Sequence, residues 1–182
     1  TTALLSPSQA TIAQTYRAAL SSLPGTFSDW PDTQRSRQVL ALALLRLAKA
    51  NPTEAESRLL ALPAALALSG AQRDSVLSEI ALWSLVDYLP EGERRYFAVS
   101  ESARTANLRE WYMRWAFAAN DDAKTLIAFT QLLPAQEQET RWRYFKARVL
   151  QRLGRNEQAM PLYALAAQSA TFHGWLAADR LQ

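Results

Sequence analysis

Proline recurs along this chain and marks where its helices begin and end. Leu-Pro pairs recur along the sequence, and proline disfavours helix at the residue before it, so each pair predicts a helix end or start. The pairs are Leu23-Pro24, Leu62-Pro63, Leu89-Pro90 and Leu133-Pro134. Ala and Leu dominate the intervals between them, and both favour helix. We therefore expect helices joined by short connections, which places consecutive helices side by side in antiparallel pairs.

Apolar residues within these intervals recur with helical spacing. One stripe is Trp142, Phe145, Val149, Leu150 and Leu153, and another is Ala159, Leu162, Tyr163, Ala166 and Ala167. At the other end of the chain, Ser6, Pro7 and Gln9 form a capping-box pattern that predicts a helix start. The predicted helices are residues 8–20, 32–50, 52–62, 71–89, 91–103, 108–119, 122–132, 135–153, 156–169 and 171–181, with a short turn at 64–68.

Two predicted turns suggest a degenerate repeat. Asn120 and Gly154 each follow a helix that carries tryptophan, and they are 34 residues apart, a period typical of helix-pair repeats. The sequence therefore predicts an all-α fold, a superhelical array of antiparallel helical hairpins of the α-solenoid, tetratricopeptide-like kind. We expect a single domain over residues 1–182.

Several kinds of chemistry lack the residues they need. The chain has no cysteine and one histidine, His173, which favours a packed or capping histidine over a metal ligand. It has only five glycines, no glycine-rich phosphate loop and no G-x-S-x-G pattern. No apolar run approaches the roughly 20 residues that span a bilayer. We expect no catalytic, metal or cofactor-binding residues and no membrane span.

Arginine is the basic residue that this chain uses most. Lys and Arg total 20 against 17 Asp and Glu, a net charge of +3 that is weak support for nucleic-acid binding. The arginines cluster at residues 94–95, 104–114 and 141–155, and a solvated helix face is the default interpretation of each cluster. The functional alternative is a groove that contacts an anionic polymer, and its candidate residues are Arg141, Arg143, Arg148, Arg152 and Arg155. Neighbouring aromatic residues could stack on sugars or bases, although their helical spacing favours a core role.

The C-terminal third resembles the soluble lytic murein transglycosylases of Gram-negative bacteria. Residues 141–148 read Arg-Trp-Arg-Tyr-Phe-Lys-Ala-Arg, followed by Leu153-Gly154-Arg155 and by Phe172-His173-Gly174-Trp175-Leu176-Ala177-Ala178. The family carries similar R-W-R-Y-W-x-A-R, G-R and F-Y-G-x-L-A-A segments in its helical region. The likeness extends over residues 108–181, with Phe145 and His173 as departures that keep a ring.

This resemblance implies a fragment of a longer protein. It suggests the U-shaped helical domain, with residues 171–182 as the start of a linker region, and without the lysozyme-like catalytic domain. That domain carries Glu-Ser and Gly-Leu-Met-Gln motifs, whereas here Glu101-Ser102 stands without a following Gly-x-x-Gln. The implied partners are peptidoglycan glycan strands and the parent's catalytic and linker domains, the implied location is the periplasm, and no cofactor is implied. With this resemblance, the candidate glycan-binding residues are Arg141, Arg143, Arg148, Arg152 and Arg155.

Two other functions remain open. A tetratricopeptide-type adaptor for protein–protein interaction fits Leu150, Leu153-Gly154, Ala159, Tyr163 and Ala166. The chain matches this repeat pattern well only once. That favours the function implied by the resemblance, a non-catalytic helical scaffold that helps to position glycan strands for a separate catalytic domain. A helical nucleic-acid binder rests on arginine content alone.

Overall fold

A computed structural model describes residues 6–182 of the chain, and within that range the regular structure is entirely helical. The α-helices are α1 Pro7–Ser21, α2 Gln34–Ala50, α3 Pro52–Leu60, α4 Gly70–Val86, α5 Gly92–Ala98, α6 Ala106–Ala118, α7 Asp122–Phe129, α8 Pro134–Glu137, α9 Thr140–Arg152, α10 Asn156–Ala167 and α11 Phe172–Asp179. Short 3₁₀ turns occupy Ala64–Leu66 and Glu101–Ala103. The all-α prediction is confirmed for this part of the chain.

The contacts divide the chain into two compact units, and the boundary along the sequence falls between Arg104 and Thr105. In the first unit, α2 packs against α1, α3 and α4. Its apolar core includes Leu40, Leu44 and Ile80, which are fully buried. In the second unit, α9 packs against α7, α10 and α11. None of the helices from Pro7 onward is long and apolar enough to cross a membrane.

Helix starts follow the sequence pattern closely. Ser6 caps α1 in a full capping box with Gln9, as predicted. The side chain of Asn51 accepts a hydrogen bond from the backbone N–H of Glu54, and Asp121 does the same for Lys124. These caps fix where the second helix of each hairpin begins.

Three of the turns between paired helices share one backbone geometry. Tyr88, Asn120 and Gly154 all have positive φ, at 53°, 54° and 73°, and each stands two residues after the last helical residue of its preceding helix. At Gly154 the backbone closes by Gly154 N–H to Gln151 O at 3.0 Å and Arg155 N–H to Leu150 O at 2.8 Å. These two bonds define a Schellman motif. The prediction of helix–helix turns at Asn120 and Gly154 is therefore confirmed.

Two predicted helices are shorter than expected. The helix predicted at 135–153 is interrupted, because Glu139 is extended and α9 begins only at Thr140. The cause is Gln136, which is buried and donates its amide N–H to Ala106 O at 2.9 Å while its amide oxygen accepts from Leu133 N–H at 3.0 Å. The helix predicted at 91–103 ends at Ala98, since Val99 is extended and buried in the core.

A buried arginine links α5 to α3 and α4 in the first unit. The side chain of Arg95 is only 3 % exposed and donates to Glu56 Oε2 at 2.9 Å, Ser84 Oγ at 3.0 Å and Thr53 Oγ1 at 3.2 Å. Arg94 donates two more hydrogen bonds to the Glu56 carboxylate, each 2.8 Å long. Because every bond crosses between helices, this network fixes the position of α5.

Candidate functional site

Two of the five candidate arginines are held by carboxylates within the second unit. Arg141 donates to Glu110 Oε1 at 2.6 Å and to Glu139 Oε2 at 2.7 Å, and its guanidinium lies 4.9 Å from the centre of the Trp142 ring. Arg152 donates to the Asp122 carboxylate, with one bond of 3.1 Å. Their charge is thus largely offset within the fold, and both tie α9 to neighbouring helices.

The other three candidate arginines have no carboxylate partner among residues 6–182. Arg143 donates to the amide oxygen of Gln138, and Arg148 donates to the Tyr144 hydroxyl at 3.2 Å. Arg155 is exposed at the turn between α9 and α10. The positive charge of this segment that no carboxylate of residues 6–182 offsets is therefore carried by Arg143, Arg148 and Lys146 on α9 and by Arg155 in the turn after it.

The five arginines do not converge on one point. Arg141, Arg148 and Arg152 are spaced by seven and four residues, which places them on one side of α9, whereas Arg143 lies on the other side of the helix. Buried residues surround α9 on several sides because α7, α10 and α11 all pack on it. The arginines therefore do not form a single basic face of α9.

Arg143 lines a small cleft between α9 and α10. The cleft encloses about 170 Å³ and is lined by Phe129, Glu137, Gln138, Trp142, Arg143, Lys146, Leu162 and Leu165. An apolar wall with a few polar and charged groups is the usual composition of a small-ligand site. The charged groups are two cations and one carboxylate, so the cleft favours an anionic or hydroxyl-rich ligand.

Sequence reasoning found Arg143 and Trp142 but missed the other residues of this cleft. Lys146 follows Trp142 and Arg143 by four and three residues, which places all three on adjacent positions of one helical face. That spacing is visible in the sequence. Leu162 and Leu165 come from the next helix, and only packing brings them to the cleft.

Most of the aromatic residues considered for stacking belong to the core. Tyr112, Trp115, Trp142 and Tyr144 are buried, as their helical spacing favoured. The indole Nε1 of Trp142 is buried and has no hydrogen-bond partner among residues 6–182. Trp111 is half-buried, with the Arg114 guanidinium 4.9 Å from its ring centre.

His173 packs among aromatic rings at the start of α11. Its ring centre lies 5.7 Å from that of Tyr144 and 5.3 Å from that of Phe145. Burial lowers the pKa of His173 below its ordinary value, and the positive charge of Arg141 lowers it further. The imidazole is therefore neutral at neutral pH, as expected for a packed histidine. Within residues 6–182 no three His, Asp or Glu side chains form a metal-binding group.

Gly174 and Trp175 show how α11 docks. Gly174 is buried, and a Cβ built on it would overlap the carbonyl oxygen of Ser169 and lie 3.0 Å from that of Ala166. Only glycine permits this close approach to α10. Trp175 points outward with 65 % of its surface exposed. The Glu101-Ser102 pair lies in an exposed 3₁₀ turn of the first unit.

These features define an all-α protein of helical hairpins with a small basic cleft on its second unit. Its fold resembles part of two solved structures of a soluble lytic transglycosylase. The crystal structure of the 70-kDa soluble lytic transglycosylase SLT70 from Escherichia coli matches with a TM-score of 0.70 and 21 % identity, covering 94 % of this chain and 27 % of that chain. The 70-kDa soluble lytic transglycosylase in complex with bulgecin A matches with a TM-score of 0.73 and 20 % identity, covering 98 % of this chain and 29 % of that chain.

The likeness therefore extends over nearly all of this chain but less than a third of either solved structure. It shows that the chain has the helical fold found in a soluble lytic transglycosylase. No sequence-family model and no curated protein sequence matches the chain.

Proposed function

We propose that this chain is a non-catalytic helical scaffold of a periplasmic peptidoglycan lytic transglycosylase. In this role it positions glycan strands for a separate lysozyme-like catalytic domain of the same parent protein. The observation that carries the proposal is the fold match over 94–98 % of the chain. The Arg141–Arg148 segment, the Leu153-Gly154-Arg155 turn and the 172–178 segment support it from sequence. Residues 171–182 are proposed as the start of the linker region.

The cleft on the second unit suits a peptidoglycan ligand. Its glutamate, glutamine and arginine side chains can bond sugar hydroxyls, and its two cations can attract the carboxylates of the stem peptides. Arg148 and Arg155 add positive charge that no carboxylate of residues 6–182 offsets by an ion pair. Arg141 and Arg152 are proposed to act by holding α9 in place.

Co-sedimentation with purified murein sacculi tests the glycan role. We expect Arg143→Gln combined with Lys146→Gln to lower the bound fraction several-fold, and we expect binding to weaken between about 0.02 and 0.5 M salt because exposed charges are screened. Arg180→Gln is the matched control, since Arg180 is exposed in the same unit but does not line the cleft. Binding that neither salt nor the cleft variants alter would contradict the proposed mode.

The parent gene tests the enzyme context separately. We expect its reading frame to encode a lysozyme-like segment with Glu-Ser and Gly-Leu-Met-Gln motifs. A complete frame without such a segment would remove the transglycosylase context, whatever the sacculus assay gives.

A tetratricopeptide-type adaptor is the second candidate function. Ala159, Tyr163 and Ala166 are fully buried behind the Gly154 turn, as that repeat pattern requires. The two functions differ in their ligand. An adaptor binds a peptide and stays in the supernatant when sacculi are pelleted, whereas the scaffold sediments with them.

A further inference from the structure

The first unit carries a continuous open groove that is separate from the cleft on the second unit. Two clefts of about 410 and 420 Å³ form it, and both are lined by Leu20, Arg35 and Val39. One lies between α1 and α2, and the other extends across α2 to Gln72 and Ser75 of α4. Together they make a long depression over three packed helices.

Apolar side chains line this groove in two parallel stripes. Ile12, Tyr16 and Leu20 recur every fourth residue on α1, and Val39, Leu42 and Leu45 recur every third residue on α2. Leu42 is 53 % exposed although it stands in the middle of an otherwise well-buried helix. Each stripe spans about 9 to 12 Å at a rise of about 1.5 Å per residue. That length matches about two turns of a partner helix.

The charged residues that line the groove, Arg17 and Arg35, are both cationic. Neither α1 nor α2 contains an Asp or a Glu, whereas together they carry Arg17, Arg35, Arg37, Arg46 and Lys49. Arg37 is bound to Asp32, Arg46 donates to Leu20 O at 3.1 Å, and Lys49 lies over the Trp83 ring. Arg17 and Arg35 line the groove, are exposed and have no partner among residues 6–182. Two unpaired guanidinium groups therefore flank an apolar surface.

We propose that this groove binds an amphipathic α-helix of a partner protein, with apolar residues toward the groove and carboxylates on its flanks. A helix fits because the side-chain ridge of one helix packs into the furrow between two others. Carboxylates fit because Arg17 and Arg35 can each form an ion pair, and no acid in α1 or α2 repels them. A glycan is disfavoured because most of the exposed surface of the lining is apolar, and a lipid surface is disfavoured because the site is concave. The proposal involves no residue of the proposed glycan cleft.

A matched panel of labelled peptides tests it. The peptides are about 16 residues long, helix-stapled, with Leu or Phe at positions spaced three and four apart, and with either Glu or Lys on the flanks. Binding to the full chain is measured by fluorescence anisotropy. We expect the Glu peptides to bind at least about tenfold more tightly than their Lys counterparts at low salt.

Protein variants locate the site. Leu42→Asp should abolish binding, whereas Leu60→Asp, on an exposed leucine of α3 outside the groove, should leave it unchanged. Arg17→Glu combined with Arg35→Glu should reverse the preference and make the Lys peptides the tighter ligands. Circular dichroism of each variant confirms its helical content.

Three results would overturn the proposal. The first is a panel in which no Glu peptide binds more tightly than its Lys counterpart. The second is equal loss of binding in Leu42→Asp and Leu60→Asp. The third is sedimentation with phosphatidylglycerol vesicles that depends on Leu42 while the peptides show no preference, which would assign the groove to a membrane surface.

Discussion

Removing the charge of Glu56 should destabilise the first unit strongly. Arg95 is 3 % exposed and Glu56 is 15 % exposed, so Glu56→Gln leaves a buried guanidinium whose other bonds are to the neutral Ser84 and Thr53 hydroxyls. Breaking a buried ion pair costs about 3–5 kcal/mol, and water reaching the partly exposed carboxylate position places the expected loss near the lower bound, about 3 kcal/mol. Urea-induced unfolding followed by far-UV circular dichroism at pH 7 measures it.

Arg94→Gln is the matched control for this network. It removes two hydrogen bonds from the same carboxylate, but the Arg94 side chain is 60 % exposed, so the loss should be at most about 1 kcal/mol. Glu56→Gln combined with Arg95→Met should recover part of the loss, because an apolar side chain needs no counter-charge. The argument is refuted if Glu56→Gln costs no more than Arg94→Gln.

The pH dependence of this stability has a definite sign. Hydrogen bonds from Arg94 lower the pKa of Glu56 most, and Arg95 lowers it further against the opposing effect of burial. A carboxyl whose pKa is lower in the folded chain contributes its full stability above the unfolded pKa of about 4.5 and loses it as pH falls through the folded pKa. The difference in the free energy of unfolding between wild type and Glu56→Gln should therefore shrink as pH is lowered from about 5 toward 3.

Three further predictions concern the turns and α11. Gly174→Ala should destabilise the second unit by about 2 kcal/mol or more because the new Cβ overlaps the Ser169 carbonyl oxygen, and the urea midpoint measures this. Tyr88→Gly should stabilise the chain by about 0.5–1 kcal/mol, since a half-exposed tyrosine with a φ of 53° is replaced by a residue that adopts that φ freely, and thermal unfolding measures this. The free energy of unfolding of wild type relative to His173→Gln should be greatest above pH 6.5, the ordinary pKa of histidine. It should decline as pH falls below 6.5, because the unfolded chain takes up the proton first.

Each of these predictions has its own control. Gly25→Ala should change stability little, because nothing lies within 4 Å of the added Cβ, and an equal loss at Gly25 and Gly174 would contradict the packing argument. Gly154→Ala, at a φ of 73°, should destabilise where Tyr88→Gly stabilises, and the same sign at both turns would contradict the backbone argument. A difference between wild type and His173→Gln that does not change from pH 7.5 to 5.5 would contradict the histidine prediction.

The sequence was sufficient for the fold class and for most helix starts. Caps such as Ser6, Asn51 and Asp121 act within four residues of their own position, so a local pattern reveals them. The break before Thr140 was missed because its cause, the bond from Gln136 to Ala106, joins residues 30 positions apart. Tertiary contacts of this kind leave no local signal.

The candidate site was predicted less well than the fold. Helical spacing placed the arginines on α9, but it could not show that Arg141 and Arg152 meet carboxylates from other helices. Arg95 and Arg109 are buried, although a solvated face was the default for a charged helix residue. A guanidinium can enter the core only when distant partners satisfy it, and the sequence does not place those partners.

The shared turn geometry has a consequence for how far such proteins can diverge. The bonds that close the Gly154 turn join backbone atoms, so the turn constrains one dihedral angle and almost no side chain. Tyrosine, asparagine and glycine each fill the same conformation in this chain. Substitutions can therefore accumulate at these corners while the hairpins persist, so a helical fold of this kind can be shared by chains that are only 20–21 % identical.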